Sequence, residues 1–102
     1  GFVLGMVINL ADRYKIRSNR ESGYGRYDVM IEPLNRMEKA FIFEFKVMAA
    51  DDDEKTLEDT IANAHKQIEE KKYEAELISD GFSPSQIRKY GFAFKGKECL
   101  IG

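Results

Sequence analysis

Between Tyr27 and Met48 the chain alternates apolar and polar positions in two runs, Tyr27–Glu32 and Ala40–Met48, separated by Pro33-Leu34-Asn35-Arg36. A period of two over runs this short predicts strands, and the Pro and Asn between them predict a turn. Strand side chains alternate faces, so Phe41, Phe43, Phe45 and Val47 fall on one side and Ile42, Glu44 and Lys46 on the other. In the first run Asp28 and Met30 share a face, opposite Tyr27, Val29 and Ile31. Antiparallel pairing across the turn can therefore bring Asp28, Glu44 and Lys46 to one face.

The remaining periodicities fill in an α/β order. Phe2, Val3, Met6, Val7 and Leu10 are spaced as the apolar stripe of an N-terminal helix that packs on the sheet. Tyr14–Asn19 reads as a short, charged edge strand, joined to the next strand by Arg20–Arg26, where Gly23 and Gly25 predict a turn or a close approach of chain or ligand. Thr56-Leu57-Glu58-Asp59 is a capping-box sequence, followed by the stripe Leu57, Ile61, Ala64 and Ile68. That stripe loses phase at Lys71-Lys72 and resumes with Ala75, Leu77 and Ile78, which predicts a break in the helix. Asp80-Gly81 stops it, Ser83-Pro84-Ser85-Gln86 opens a short turn, and Tyr90–Phe94 with Glu98–Ile101 reads as a hairpin around Lys95-Gly96. The expected order is α-β-β-β-α-β-β, a mixed sheet flanked by helices.

Composition bounds the chemistry. A chain of 102 residues, 43% hydrophobic and 33% charged, is one globular domain with a modest core. Cys99 is the only cysteine and His65 the only histidine, so an internal disulfide and a Cys- or His-rich zinc site are excluded. Cys99, in a strand-like run, is expected to be buried. No apolar run reaches the eighteen or so residues of a membrane span, and a cytoplasmic setting is the default. Gly1 is not a natural start, which points to a fragment of a longer chain.

A net charge of −2 argues against a general nucleic-acid binder, but the charge is unevenly distributed. Arg13, Lys15, Arg17, Arg20 and Arg26 crowd one segment, and Arg88, Lys89, Lys95 and Lys97 another. Such segregation steers a phosphate backbone if the segments share a surface. The acids Asp51-Asp52-Asp53-Glu54 lack calcium-loop spacing and are expected to serve the start of the following helix.

Two carboxylates and a lysine on adjacent strands suit a hard divalent cation with a positioned ammonium beside it. Asp28, fifteen intervening residues, then Glu44-Phe45-Lys46 resembles the motif of the PD-(D/E)XK nuclease superfamily. The phrases SNRESGYGRYD, EFK and KTLEDTIANAHKQIEEKKY resemble a bacterial branch that carries this domain behind an AAA-ATPase-like module. The resemblance covers nearly the whole chain. It implies a restriction-endonuclease-like core and cleavage of DNA, or less readily RNA, with Mg²⁺ or Mn²⁺ held by Asp28, Glu44 and the backbone oxygen of Phe45. Lys46 is implied as the group assisting water attack, with Gln67 and Tyr73 reaching the site from the helix. Arg26 and Lys71 are the candidate substrate-binding cations. Cutting both strands of a duplex at once requires two such sites, hence a homodimer. The superfamily's N-terminal helix often adds a further acid, and Gly1–Leu10 contains none.

Two other readings follow from the same residues. One is a nuclease-like domain that binds nucleic acid or an attached ATPase module without cutting. The other is a scaffold strand whose polar face, Glu44 and Lys46 included, is simply wet.

Overall fold

The computed structural model describes residues 13–21 and 26–102. The N-terminal helix expected over Phe2–Ala11, and the glycines Gly23 and Gly25, lie outside them. β1 (Tyr14–Glu21), β2 (Arg26–Pro33) and β3 (Ala40–Val47) are followed by a 3-10 turn, Ala50–Asp52. Helices α1 (Leu57–Glu70) and α2 (Tyr73–Ser79) come next, then a 3-10 turn at Pro84–Gln86, β4 (Ile87–Lys95) and β5 (Glu98–Ile101). The order among the described residues is therefore β-β-β-α-α-β-β, which corrects the expected α-β-β-β-α-β-β. Two helices stand where one was counted, because Lys72 takes a left-handed conformation (φ 58°) that ends α1 and starts α2.

The strands lie across the sheet in chain order. Every neighbouring pair is antiparallel except β3 and β4, which are parallel. A parallel pair cannot be closed by a hairpin, so the β3–β4 connection carries the helices, and α1 lies against β3, β4 and β5. Thr56 caps α1 by accepting from the Asp59 amide (3.2 Å) while Asp59 accepts from the Thr56 amide (3.1 Å), as the sequence predicts. Gly96, at φ 57°, opens the tight β4–β5 turn.

The two sheet faces differ sharply. Under the helices, Met30, Ala40, Ile42, Ile68, Leu77, Phe82 and Ile87 form the apolar core, with Tyr73 at its edge. The opposite face carries half-exposed rings, with Tyr27 stacked on Phe45 (4.5 Å) and Phe45 on Phe92 (4.7 Å). Cys99, expected to be buried, is exposed, since β5 is a four-residue edge strand.

The approach of α1 to the sheet is set at Gly91, the β4 partner of Glu44. A Cβ there would stand 3.1 Å from the Ala64 Cβ and 3.4 Å from the Ile61 Cδ1. Gly91→Val should push α1 off the sheet and destabilise the fold by about 1–3 kcal/mol, read as a fall in the urea midpoint. An unchanged midpoint would show that α1 is not seated on this glycine.

Candidate active site

The helix-covered face changes character along its length. Met30 and Ile42 are register partners in the apolar core, and one step further along both strands Asp28 faces Glu44. Asp28, Glu44 and Lys46 are 3%, 0% and 1% exposed. Those values remove the wet-strand reading: this is a buried ionic cluster continuous with the core. Three of the residues singled out from the sequence thus share one face, as alternation required.

Lys46 is buried on β3, a strand that α1 packs against, and a buried ammonium needs anionic partners. It donates to Asp52 Oδ2 (2.9 Å) and forms an ion pair with Glu54. Glu54 is itself locked: its Oε1 accepts from the Ala49 amide and from Thr60 Oγ1 (both 2.9 Å), and its Oε2 from Asn63 Nδ2 (2.7 Å). Burial pushes the Glu54 carboxyl up, but the bonds from Lys46, Asn63, Ala49 and Thr60 outweigh it and hold the group below its ordinary value. Asp52 is also held low, first by the bond from Lys46 and then by that from Arg26.

The other predicted residues gather around this cluster. Arg26 donates through an Nη to the same Asp52 Oδ2 at 2.9 Å. Lys71, the C-cap of α1, places Nζ 2.8 Å from Asp28 Oδ2. The break at Lys72 turns Tyr73 back over the sheet, where its hydroxyl accepts from Asn19 (3.3 Å) and interacts with Asp28. Burial first, and Asp28 second, raise the Tyr73 phenol above its usual range. Gln67 is half-buried on α1, bonds to Glu70 (3.4 Å), and lines a cleft of about 210 Å³ with Arg26, Asp52, Asn63, Lys66 and Glu70. Asp52, which lines the same cleft, accepts from Lys46. The Phe45 ring lies on the opposite, aromatic face, so only its backbone is available to the carboxylates.

Residues 1–102 match the profile of the PD-(D/E)XK nuclease superfamily from end to end. The chain belongs to that superfamily. No curated protein and no solved structure matches it significantly. The match is to the superfamily and does not single out a branch associated with an ATPase.

A superfamily member of this kind typically uses Mg²⁺. Among the described residues no cluster of three or more His, Cys, Asp or Glu side chains is set to hold a metal ion. The expected set is smaller, two carboxylates and a backbone oxygen, and Mg²⁺ is commonly bound through one or two carboxylates plus water. The charge pattern suits it. Among the described residues, Asp28, Glu44, Asp52 and Glu54 gather with Arg26, Lys46 and Lys71 in this cluster, four carboxyls to three cations. The hard oxygen donors and the surplus negative charge fit a divalent cation at Asp28 and Glu44, with Lys71 as its competitor at Asp28.

Sequence reasoning missed Asp52, Glu54, Thr60 and Asn63. Asp52 and Glu54 both pair with Lys46, and Glu54 also accepts from Thr60 and Asn63 near the start of α1, while Thr56 and Asp59 form the capping box. A signal was present: Thr56, Thr60, Asn63 and Gln67 recur at helical spacing beside the apolar stripe, and Thr60 is wholly buried. Cations expected to steer nucleic acid are partly engaged elsewhere, Arg17 with Glu76 and Lys89 with Glu74 (both 2.6 Å).

The depressed carboxyls set an acid limit. A group whose folded pKa lies below its unfolded value adds stability that is complete above the unfolded value and lost as pH falls through the folded one. For Glu54 and Asp52 the unfolded values are 4.5 and 3.8, so the loss should begin near pH 4.5 and continue below 3.8. Melting curves from neutral to acid pH should fall more steeply for the wild type than for Glu54→Gln below about pH 4.5. Parallel curves would show that Glu54 is not held in its charged form by the fold.

Proposed function

We propose that this domain is a metal-dependent phosphodiesterase that cuts DNA, with RNA the less favoured substrate. The observation carrying this reading is the direct cross-strand pairing of Asp28 with Glu44, on a buried face that also holds Lys46. Asp28, Glu44 and the Phe45 backbone oxygen would hold Mg²⁺ or Mn²⁺. Such an ion, when bound, would supply polarisation of the phosphodiester and activation of the attacking water. Lys46 Nζ, fixed by Glu54, meets the negative charge that grows on the phosphate. Arg26 and Lys71 bind the backbone phosphates, and Gln67 and Tyr73 orient water or phosphate from the helices. The setting we propose is the cytoplasm, with a homodimer as the form that cuts both strands at once.

A domain that binds nucleic acid or an attached ATPase-like module without cutting is the second reading. The ion pairs that already engage Lys46 and Asp28 favour it.

Cleavage of labelled single-stranded, duplex and branched DNA with Mg²⁺ and with Mn²⁺, run beside calorimetric metal titration, tests both readings. Glu44→Gln should weaken metal binding and abolish cleavage. Lys46→Ala should retain metal binding and lose most cleavage, while costing about 3–5 kcal/mol of stability because Glu54 stays buried without its cation. Lys46→Ala assayed together with Glu54→Gln removes that penalty and isolates the chemical loss. Equal metal binding by the wild type and Glu44→Gln would overturn the ligand assignment. Metal binding without cleavage in the wild type would select the second reading.

A further inference from the structure

Arg26 and Lys46 are register partners on β2 and β3, and both donate to one atom, Asp52 Oδ2, at 2.9 Å. The two acids that serve Lys46 are not equivalent. Glu54 is wholly buried and held by four donors, whereas the Asp52 side chain is 36% exposed at the end of a three-residue 3-10 turn. The next residue, Asp53, is left-handed at φ 63°, so the turn leaves the site immediately after Asp52. Arg26 is also incompletely engaged: its Nε is buried and finds no acceptor among the described residues. Arg26 and Asp52 also line the cleft of about 210 Å³, together with Asn63, Lys66, Gln67 and the acid Glu70.

A carboxylate oxygen shared by a guanidinium and an ammonium, on a partly exposed side chain, has the charge and placement of a phosphodiester oxygen. A phosphodiester offers two such oxygens. It can therefore take the idle Nε of Arg26 together with an Nη as a two-pronged bond, and meet Lys46 with the other oxygen. We propose that Arg26 and Lys46 form a phosphodiester seat and that Asp52 is its internal occupant, displaced when a nucleic-acid phosphate enters. The identity of the anion rests on the nuclease reading; the exchange itself rests on Asp52 and its two cations. Glu54 stays in place during the exchange, so Lys46 keeps one buried counter-charge throughout. Asp52 gives up a partly exposed ion pair for full solvation, a smaller loss than separating the buried Glu54 from Lys46.

The test uses dimethyl phosphate in metal-free buffer, followed through the Arg26 Nε–H resonance in ¹⁵N NMR, so it does not depend on cleavage. Asp52→Asn and Asp52→Ala should bind the probe about fivefold more tightly than the wild type, the scale of one partly exposed ion pair. The Arg26 Nε–H resonance should move in all three proteins. Equal or weaker binding in both variants, or an Arg26 resonance that stays fixed, overturns the proposal. If Asp52→Ala does not fold, the isosteric Asp52→Asn decides. If neither folds, Asp52 is a structural support rather than a removable occupant, and the proposal falls. A chain that binds the probe as expected but cuts no DNA defeats the nuclease reading and leaves the seat. A chain that cuts DNA but shows no gain from either variant defeats the seat alone.

Discussion

The structure turns on one buried ammonium. Lys46 lies at the centre of the sheet under α1, and removing a charge of this kind from water costs several kcal/mol unless partners replace the solvent. Glu54 is the principal replacement, and it cannot serve without neutralising its own remaining acceptors. That need explains why α1 carries Thr60 and Asn63 toward the sheet, and why the Ala49 amide turns inward just after β3. The 3-10 turn, the start of α1 and the end of β3 are thus joined through a single carboxylate.

How far the sequence could be read follows from the range of each interaction. The β2–β3 pairing and the shared face of Asp28, Glu44 and Lys46 were legible because strand alternation is local and the turn fixes the register. The helix break at Lys71-Lys72 was legible for the same reason, as a loss of phase in the apolar stripe. The Lys46 cage was not, because Glu54 and Asp52 approach from a loop eight and six residues on, where no periodicity connects them to the strand. An acid-rich loop ahead of a helix has a ready local explanation in the helix dipole, and that explanation leaves out the pairing of Asp52 and Glu54 with Lys46. The fate of the scattered cations was equally hidden, since Arg17 and Lys89 meet Glu76 and Glu74 only after α2 folds across the sheet.

The break between the helices connects fold to site. A continuous helix would carry Lys71 and Tyr73 to different sides, since residues two apart are about 200° apart around the axis. The left-handed Lys72 ends α1 so that Lys71 reaches Asp28, and restarts α2 so that Tyr73 reaches the same carboxylate while packing on the core. One unusual backbone residue therefore places two side chains on one acid.

The apolar and ionic halves of the covered face also depend on each other. Ile42 and Met30 lie one strand step from Glu44 and Asp28, so the layer that buries the core residues also excludes water from the carboxylates. In such surroundings carboxylates facing each other across neighbouring strands repel strongly, and among the described residues of the cluster three cations stand against four carboxyls. The fold tolerates the surplus because Lys71 and Arg26 stand at the rim, where their partners can be exchanged, while Glu54 holds Lys46 from beneath. An incoming cation and an incoming phosphate would each relieve a different part of that charge pattern. The cation answers the excess of carboxylate, and the phosphate answers the cations that the carboxylates now occupy.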